Sequence, residues 1–142
     1  MESSEIRFLA LFFFFSFLDE KTTTTSASEA YGLFVNHMKK HPQNDRKEAL
    51  LKAAYTTYLK IKKKNKKAAP RKNDLSFALS GAIDIGPWRE FHKNANSEDM
   101  LVVILKQILG ASENEVARCL QISVGSVRYR LGKALPLLGE YA

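Results

Sequence analysis

Between Gln121 and Leu135 the chain carries Arg128, Arg130 and Lys133 together with Tyr129, and no acidic residue. Guanidinium and ammonium groups suit phosphate oxygens, and a tyrosine among small polar residues suits the edge of a base. At about 100° per residue, Val127, Leu131, Ala134 and Leu135 gather on one side of a helix as an apolar stripe. Gly125, Ser126, Tyr129 and Lys133 then point away from that stripe, with Arg128 and Arg130 on opposite flanks. A helix in the DNA major groove uses this layout, because central side chains reach base edges while flanking cations hold phosphates. A tyrosine needed only for burial belongs on the Val127 stripe, and Tyr129 lies opposite it. The competing reading is a helical hairpin with a solvated basic face.

The residues upstream supply what would position such a helix. Ser97 reads as the cap of a helix whose first turn holds Glu98 and Asp99 and whose body, from Met100 to Ile108, is heavily apolar until Gly110 stops it. Ser112 and Glu115 form a capping box for a short helix ending at Leu120, with Val116, Cys119 and Leu120 facing inward. Ala117 is small enough for a neighbouring helix to approach. Gln121-Ile122-Ser123 makes a tight turn, in which Ser123 caps the next helix. Two short helices joined by such a turn and set on an apolar helix match the helix-turn-helix motif. The candidate DNA-binding residues are Ser123, Val124, Gly125, Ser126, Arg128, Tyr129, Arg130 and Lys133.

The stretch from Leu109 to Leu135 resembles the fourth region of bacterial RNA polymerase sigma factors, in particular the extracytoplasmic-function type. Glu115-Val116-Ala117, Ile122-Ser123-Val124-Gly125-Ser126-Val127, and Arg130 with Leu131 carry the likeness. It covers residues 97–138 of the 142. The effector domains of LuxR-type regulators share much of the same spacing, and Arg128-Tyr129-Arg130-Leu131 leans towards sigma. The resemblance implies a domain that reads the upstream promoter element, touches the flap of core RNA polymerase and answers to an anti-sigma-like regulator. It departs from the family at Gln121, where a turn glycine is usual, and at Pro136, which is expected to shorten the last helix or start a new turn. The acidic and aromatic pattern of the family's second region is missing upstream.

The rest of the chain reads as helical too. Tyr31, Phe34, Val35 and Met38 form one stripe of a helix over residues 29–40, ended by His41-Pro42. Asn44 or Asp45 caps a second helix reaching into the lysines near position 64, and the short loop between them implies an antiparallel hairpin. Residues 60–72 hold eight basic residues and no acid, a linker or a sequence-independent phosphate contact. A short helix is expected over residues 74–83, and Gly86-Pro87 starts another with Trp88 and Phe91 as core. The expected fold is all-α: residues 1–28 an apolar segment and Thr/Ser linker, 29–68 a helical hairpin, 69–96 a basic linker with short helices, and 97–142 the helix-turn-helix domain.

The apolar run that begins at Phe8 and ends at Leu18 has eleven residues, too few for a helix spanning a bilayer, which needs about 20. Its length fits a signal-peptide core, but Glu2 and Glu5 against Arg7 make a poor positive region, and Asp19, Glu20 and Lys21 precede the small residues 26–28. A helix packed on the body, a tail touching a membrane, or residues added by a misassigned start codon remain open.

Net charge of +7 calls for an acidic partner, and the single cysteine, Cys119, suits a cytoplasmic protein without an internal disulfide. No glycine-rich phosphate loop or cysteine–histidine pairing points to an enzyme, and no cofactor is expected. His37 and His41 are four apart, but Met38 stands where H-E-x-x-H has its glutamate and His92 is distant, so no metal site is expected.

Overall fold

The computed structural model describes residues 2–65 and 86–140. The short helix expected over residues 74–83 and the basic residues after Lys64 lie outside them. Among the described residues the protein is all-helical. Backbone contacts divide it into two units, Met1–Ala78 and Leu79–Ala142.

The first unit contains α1 (Glu2–Phe17), α2 (Glu20–Lys40) and α3 (Arg46–Asn65), each packed on the other two. The apolar run is the heart of this unit. Leu9, Phe12, Phe13 and Phe14 are completely buried, with Phe34, Leu51 and Ala54 around them. Phe12 meets the Tyr58 ring edge-on at 6.2 Å and Phe17 stacks on it at 5.2 Å. Of the readings open for residues 8–18, the packed helix is the one observed. Glu5, awkward in a signal peptide, binds the Arg46 guanidinium at 2.8 Å and so ties α1 to the start of α3. Among the described residues no helix is long and apolar enough to cross a membrane.

The expected Thr/Ser linker is instead the first turns of α2. Asp19 caps the helix by accepting from the Thr22 amide at 2.9 Å and from the Thr22 hydroxyl. The Thr23 hydroxyl donates to the Asp19 carbonyl at 2.7 Å and Thr24 to that of Glu20 at 3.1 Å. Threonine hydroxyls that bond one turn back satisfy themselves inside a helix, so a β-branched polar run need not break it. Leu18, with φ 53°, makes the left-handed residue that turns the chain between α1 and α2. Its side chain is buried, which holds it in a conformation that costs about 1–3 kcal/mol. The hairpin expected over residues 29–68 is therefore seen, as far as Asn65, as α2 and α3 of a three-helix unit that begins near residue 2.

The second unit comprises α4 (Gly86–Asn94), α5 (Ser97–Val103) continued by a π-helical turn (Ile104–Ile108), α6 (Glu113–Leu120) and α7 (Val124–Glu140). Trp88 and Phe91 are buried, and α4 packs on α7, so this helix belongs to the second unit rather than to a linker. The α5 core, from Met100 to Leu105, is closed over by Val116, Val127, Leu131 and Ala134. Asn96, not Ser97, caps α5 by accepting from the Glu98 amide at 2.8 Å. Asparagine is as good a cap as serine, and the helix starts one residue earlier than expected. Gly110, at φ 73°, ends the π-helical stretch as expected of a stop glycine.

Candidate nucleic-acid interface

Local capping sets the geometry from Ser112 to Ser126. The Ser112 hydroxyl accepts from the Glu115 amide at 3.1 Å while the Glu115 carboxylate accepts from the Ser112 amide at 2.8 Å, the full capping box. Gln121 closes α6 at φ 58° and ψ 45°, the left-handed conformation that a glycine would take without strain. Its amide and that of Ile122 both return to the Ala117 carbonyl. Ser123 then caps α7, its hydroxyl accepting from the Ser126 amide at 3.0 Å. The turn between α6 and α7 is thus fixed at both ends by hydrogen bonds.

Helix α7 has two faces. Val127, Leu131 and Ala134 are buried, as the stripe requires. Leu135 is not part of it: the residue is 36% exposed, since the step of about 100° from Ala134 carries it off the stripe. Pro136 neither shortens the helix nor starts a turn; it lies inside α7. Its ring nitrogen donates no hydrogen bond to the Gly132 carbonyl one turn back, and the exposure of Gly132 leaves that carbonyl open to water. Tyr129 is 68% exposed, with Gly125, Arg128 and Lys133 also exposed and Ser126 and Val124 half-buried.

The basic residues of α7 fare differently. Arg128 is well exposed and its Nε lies 3.1 Å from the Glu113 carboxylate across the turn. Arg130, by contrast, does not stand free on a flank. Its Nη1 donates to Asp99 at 2.8 Å and its Nη2 reaches Glu98 at 2.7 Å. Lys133 Nζ lies 3.0 Å from the other Asp99 oxygen and 5.4 Å from the Tyr129 ring centroid. Asp99 is 5% exposed, and two α7 cations and the start of α5 compensate its charge.

No family model, curated protein or solved structure matches the chain. Of the expected set, Gly125, Ser126, Arg128 and Tyr129 share one outward surface at the start and middle of α7, while Ser123 works as a cap. Arg130 and Lys133 are turned towards an acidic partner inside the unit. Asp99 was missed as a structural residue. Its place in the first turn of α5 is accounted for by the helix dipole alone, and its contact with Arg130 is 31 residues away in sequence.

The remaining reactive side chains stand apart from this surface. Burial pushes the Cys119 thiol up to about 12, so it stays protonated and packs as a small hydrophobe. The His37 and His41 rings lie 5.0 Å apart, and Asn44 hydrogen-bonds the His37 Nε2 at 3.0 Å. Among the described residues no group of three His, Cys, Asp or Glu side chains is placed to hold a metal ion.

Proposed function

We propose that the chain is a sequence-specific DNA-binding transcription protein, sigma-factor-like, in which α6, the turn and α7 act as a helix-turn-helix and α7 reads the upstream promoter element. The observation that carries this reading is the outward Tyr129. A large aromatic residue 68% exposed, flanked by Gly125 and Ser126 on a helix whose opposite face buries Val127, Leu131 and Ala134, has a surface to meet rather than a core to fill. Gly125 and Ser126 leave room for a base edge, and the exposed Arg128 supplies a phosphate contact by exchanging the half-buried Glu113 carboxylate for it. Net charge of +7 favours approach to DNA.

Core RNA polymerase, through its flap, and an anti-sigma-like regulator enter as partners on the strength of the resemblance over residues 97–138, and a cytoplasmic location follows from them. The three-helix unit takes the place of the family's second region without its acidic and aromatic pattern.

The test is a pull-down of core RNA polymerase with the full chain, paired with selection of bound DNA from a random pool at stated salt. Polymerase together with an enriched motif supports a sigma-like protein. A motif without polymerase makes it a separate regulator of the LuxR-effector kind, and neither overturns the proposal in favour of a helical adaptor.

A further inference from the structure

Tyr129 is well exposed, so core packing does little to set its ring direction. An exposed aromatic ring samples several rotamers, and fixing one on binding costs affinity for the DNA it reads. Its organised neighbour is Lys133, whose ammonium lies 5.4 Å from the ring centroid, within cation–π reach. Lys133 in turn is held at 3.0 Å by a carboxylate with 7% side-chain exposure, Asp99. The same carboxylate holds Arg130 at 2.8 Å, and Glu98 holds the second nitrogen of that guanidinium at 2.7 Å.

We propose that Asp99 is a positioning residue for base recognition: through Lys133 it sets the Tyr129 ring, and it withholds Lys133 and Arg130 from the phosphate backbone. This rests on the DNA-reading proposal above and adds the source of its selectivity. Phosphates are the same in every sequence, so each cation that grips them raises affinity for all DNA alike. Two cations of the reading helix spent on an internal carboxylate lower that common affinity and leave the base contacts untouched. Arg128 differs, because its partner Glu113 is 32% exposed and a solvated pair exchanges readily for a phosphate.

The experiment uses the full chain, the motif enriched by the wild type, and a scrambled duplex of equal length and composition, titrated over a salt series. Asp99→Asn keeps the shape and removes the charge. It should lower the motif-to-scramble affinity ratio about tenfold, raise affinity for the scramble, and steepen the salt slope by about 0.9, one phosphate's worth for the released Lys133, because Glu98 still holds Arg130. Lys133→Met keeps the aliphatic stem and should lower the ratio by a similar factor while leaving the salt slope at its wild-type value. That second result separates the clamp from an ordinary phosphate contact. A slope shallower by about 0.9 in Lys133→Met means that Lys133 grips DNA in the wild type, and the inference is overturned. An unchanged ratio in Lys133→Met overturns it as well, and this variant decides alone if circular dichroism shows Asp99→Asn unfolded. A wild type that enriches no motif brings down the DNA reading itself; a wild type with a motif and unaffected variants brings down only the clamp.

Discussion

The two units place similar residue types on opposite sides of their surfaces. In Met1–Ala78 the aromatic residues Phe12, Phe13, Phe14 and Tyr58 are inside, while carboxylates pair near the outside, Glu5 with Arg46 and Glu29 with Lys60. In Leu79–Ala142 one carboxylate, Asp99, is inside and one tyrosine, Tyr129, is outside. The first arrangement is dominated by burial of apolar area, with Glu5, 13% exposed, held by Arg46 at its edge. The second costs desolvation of a charge and offsets it only through two cations drawn from α7. Departures from the simple pattern occur in both units, since Ile6, Leu33 and Leu59 are exposed and Ser26 and Thr57 are buried in the first; what marks the second is a buried carboxylate that draws in two α7 cations beside an exposed tyrosine.

Substitutions that separate the packing role from the reading role sharpen this contrast. The largest effect is expected from Phe13→Ala, which empties a completely buried site in the aromatic core. Its cost should be about 3–5 kcal/mol in urea unfolding, with the motif-to-scramble ratio unchanged where the chain is still folded. The thiol of Cys119 gives a pH test of the second unit. Alkylation at pH 8 should be slow in the native chain and fast in urea, because burial pushes the thiol up to about 12. The stability that accompanies this shift is present below the ordinary value of 9.0 and is lost as pH rises towards about 12, so thermal unfolding of the second unit should fall over that window. Rapid alkylation of the folded chain would break the assignment of Cys119 to the core. Ser112→Ala removes one arm of the capping box and should cost about 1 kcal/mol. In the opposite direction, Gln121→Gly relieves a left-handed residue and should leave stability unchanged or raise it by up to about 1 kcal/mol. A loss of stability in Gln121→Gly would mean that the glutamine side chain contributes more than its backbone costs.

How legible each feature is in sequence depends on how far its cause lies along the chain. The capping box at Ser112 and Glu115, the Ser123 cap and the Val127–Leu131–Ala134 stripe all rest on contacts within about one turn and are read directly from spacing, whereas Gln121 stands out only through the resemblance, where a turn glycine is usual. The helical nature of residues 22–28 was hidden because threonine disfavours helices on average, and only the bonds from their hydroxyls to carbonyls one turn back reverse that. The role of residues 8–18 was hidden for a different reason: a run of phenylalanine has the same composition in a packed helix as in a signal peptide, and what decides it is the presence of α2 and α3 to cover it. Arg130 shows the limit most clearly. Its flank position on α7 is a matter of helical angle, but its partner Asp99 is 31 residues upstream, and no local pattern connects them. Pro136 lies within α7 rather than at its end, and Leu135, about 100° from Ala134, lies off its stripe, since a proline and a leucine have the same local signature at a helix end or edge as inside it.

The central claim, that the exposed face of α7 reads base edges through Tyr129, is tested most directly by comparing wild type and Tyr129→Ala for the enriched motif against the scrambled duplex. Stability should stay within about 0.5 kcal/mol, because the side chain is exposed. The motif-to-scramble ratio should fall by about tenfold, a loss of about 1–3 kcal/mol of discrimination, while affinity for the scramble and its salt slope hold. Equal ratios for the two proteins would contradict the claim.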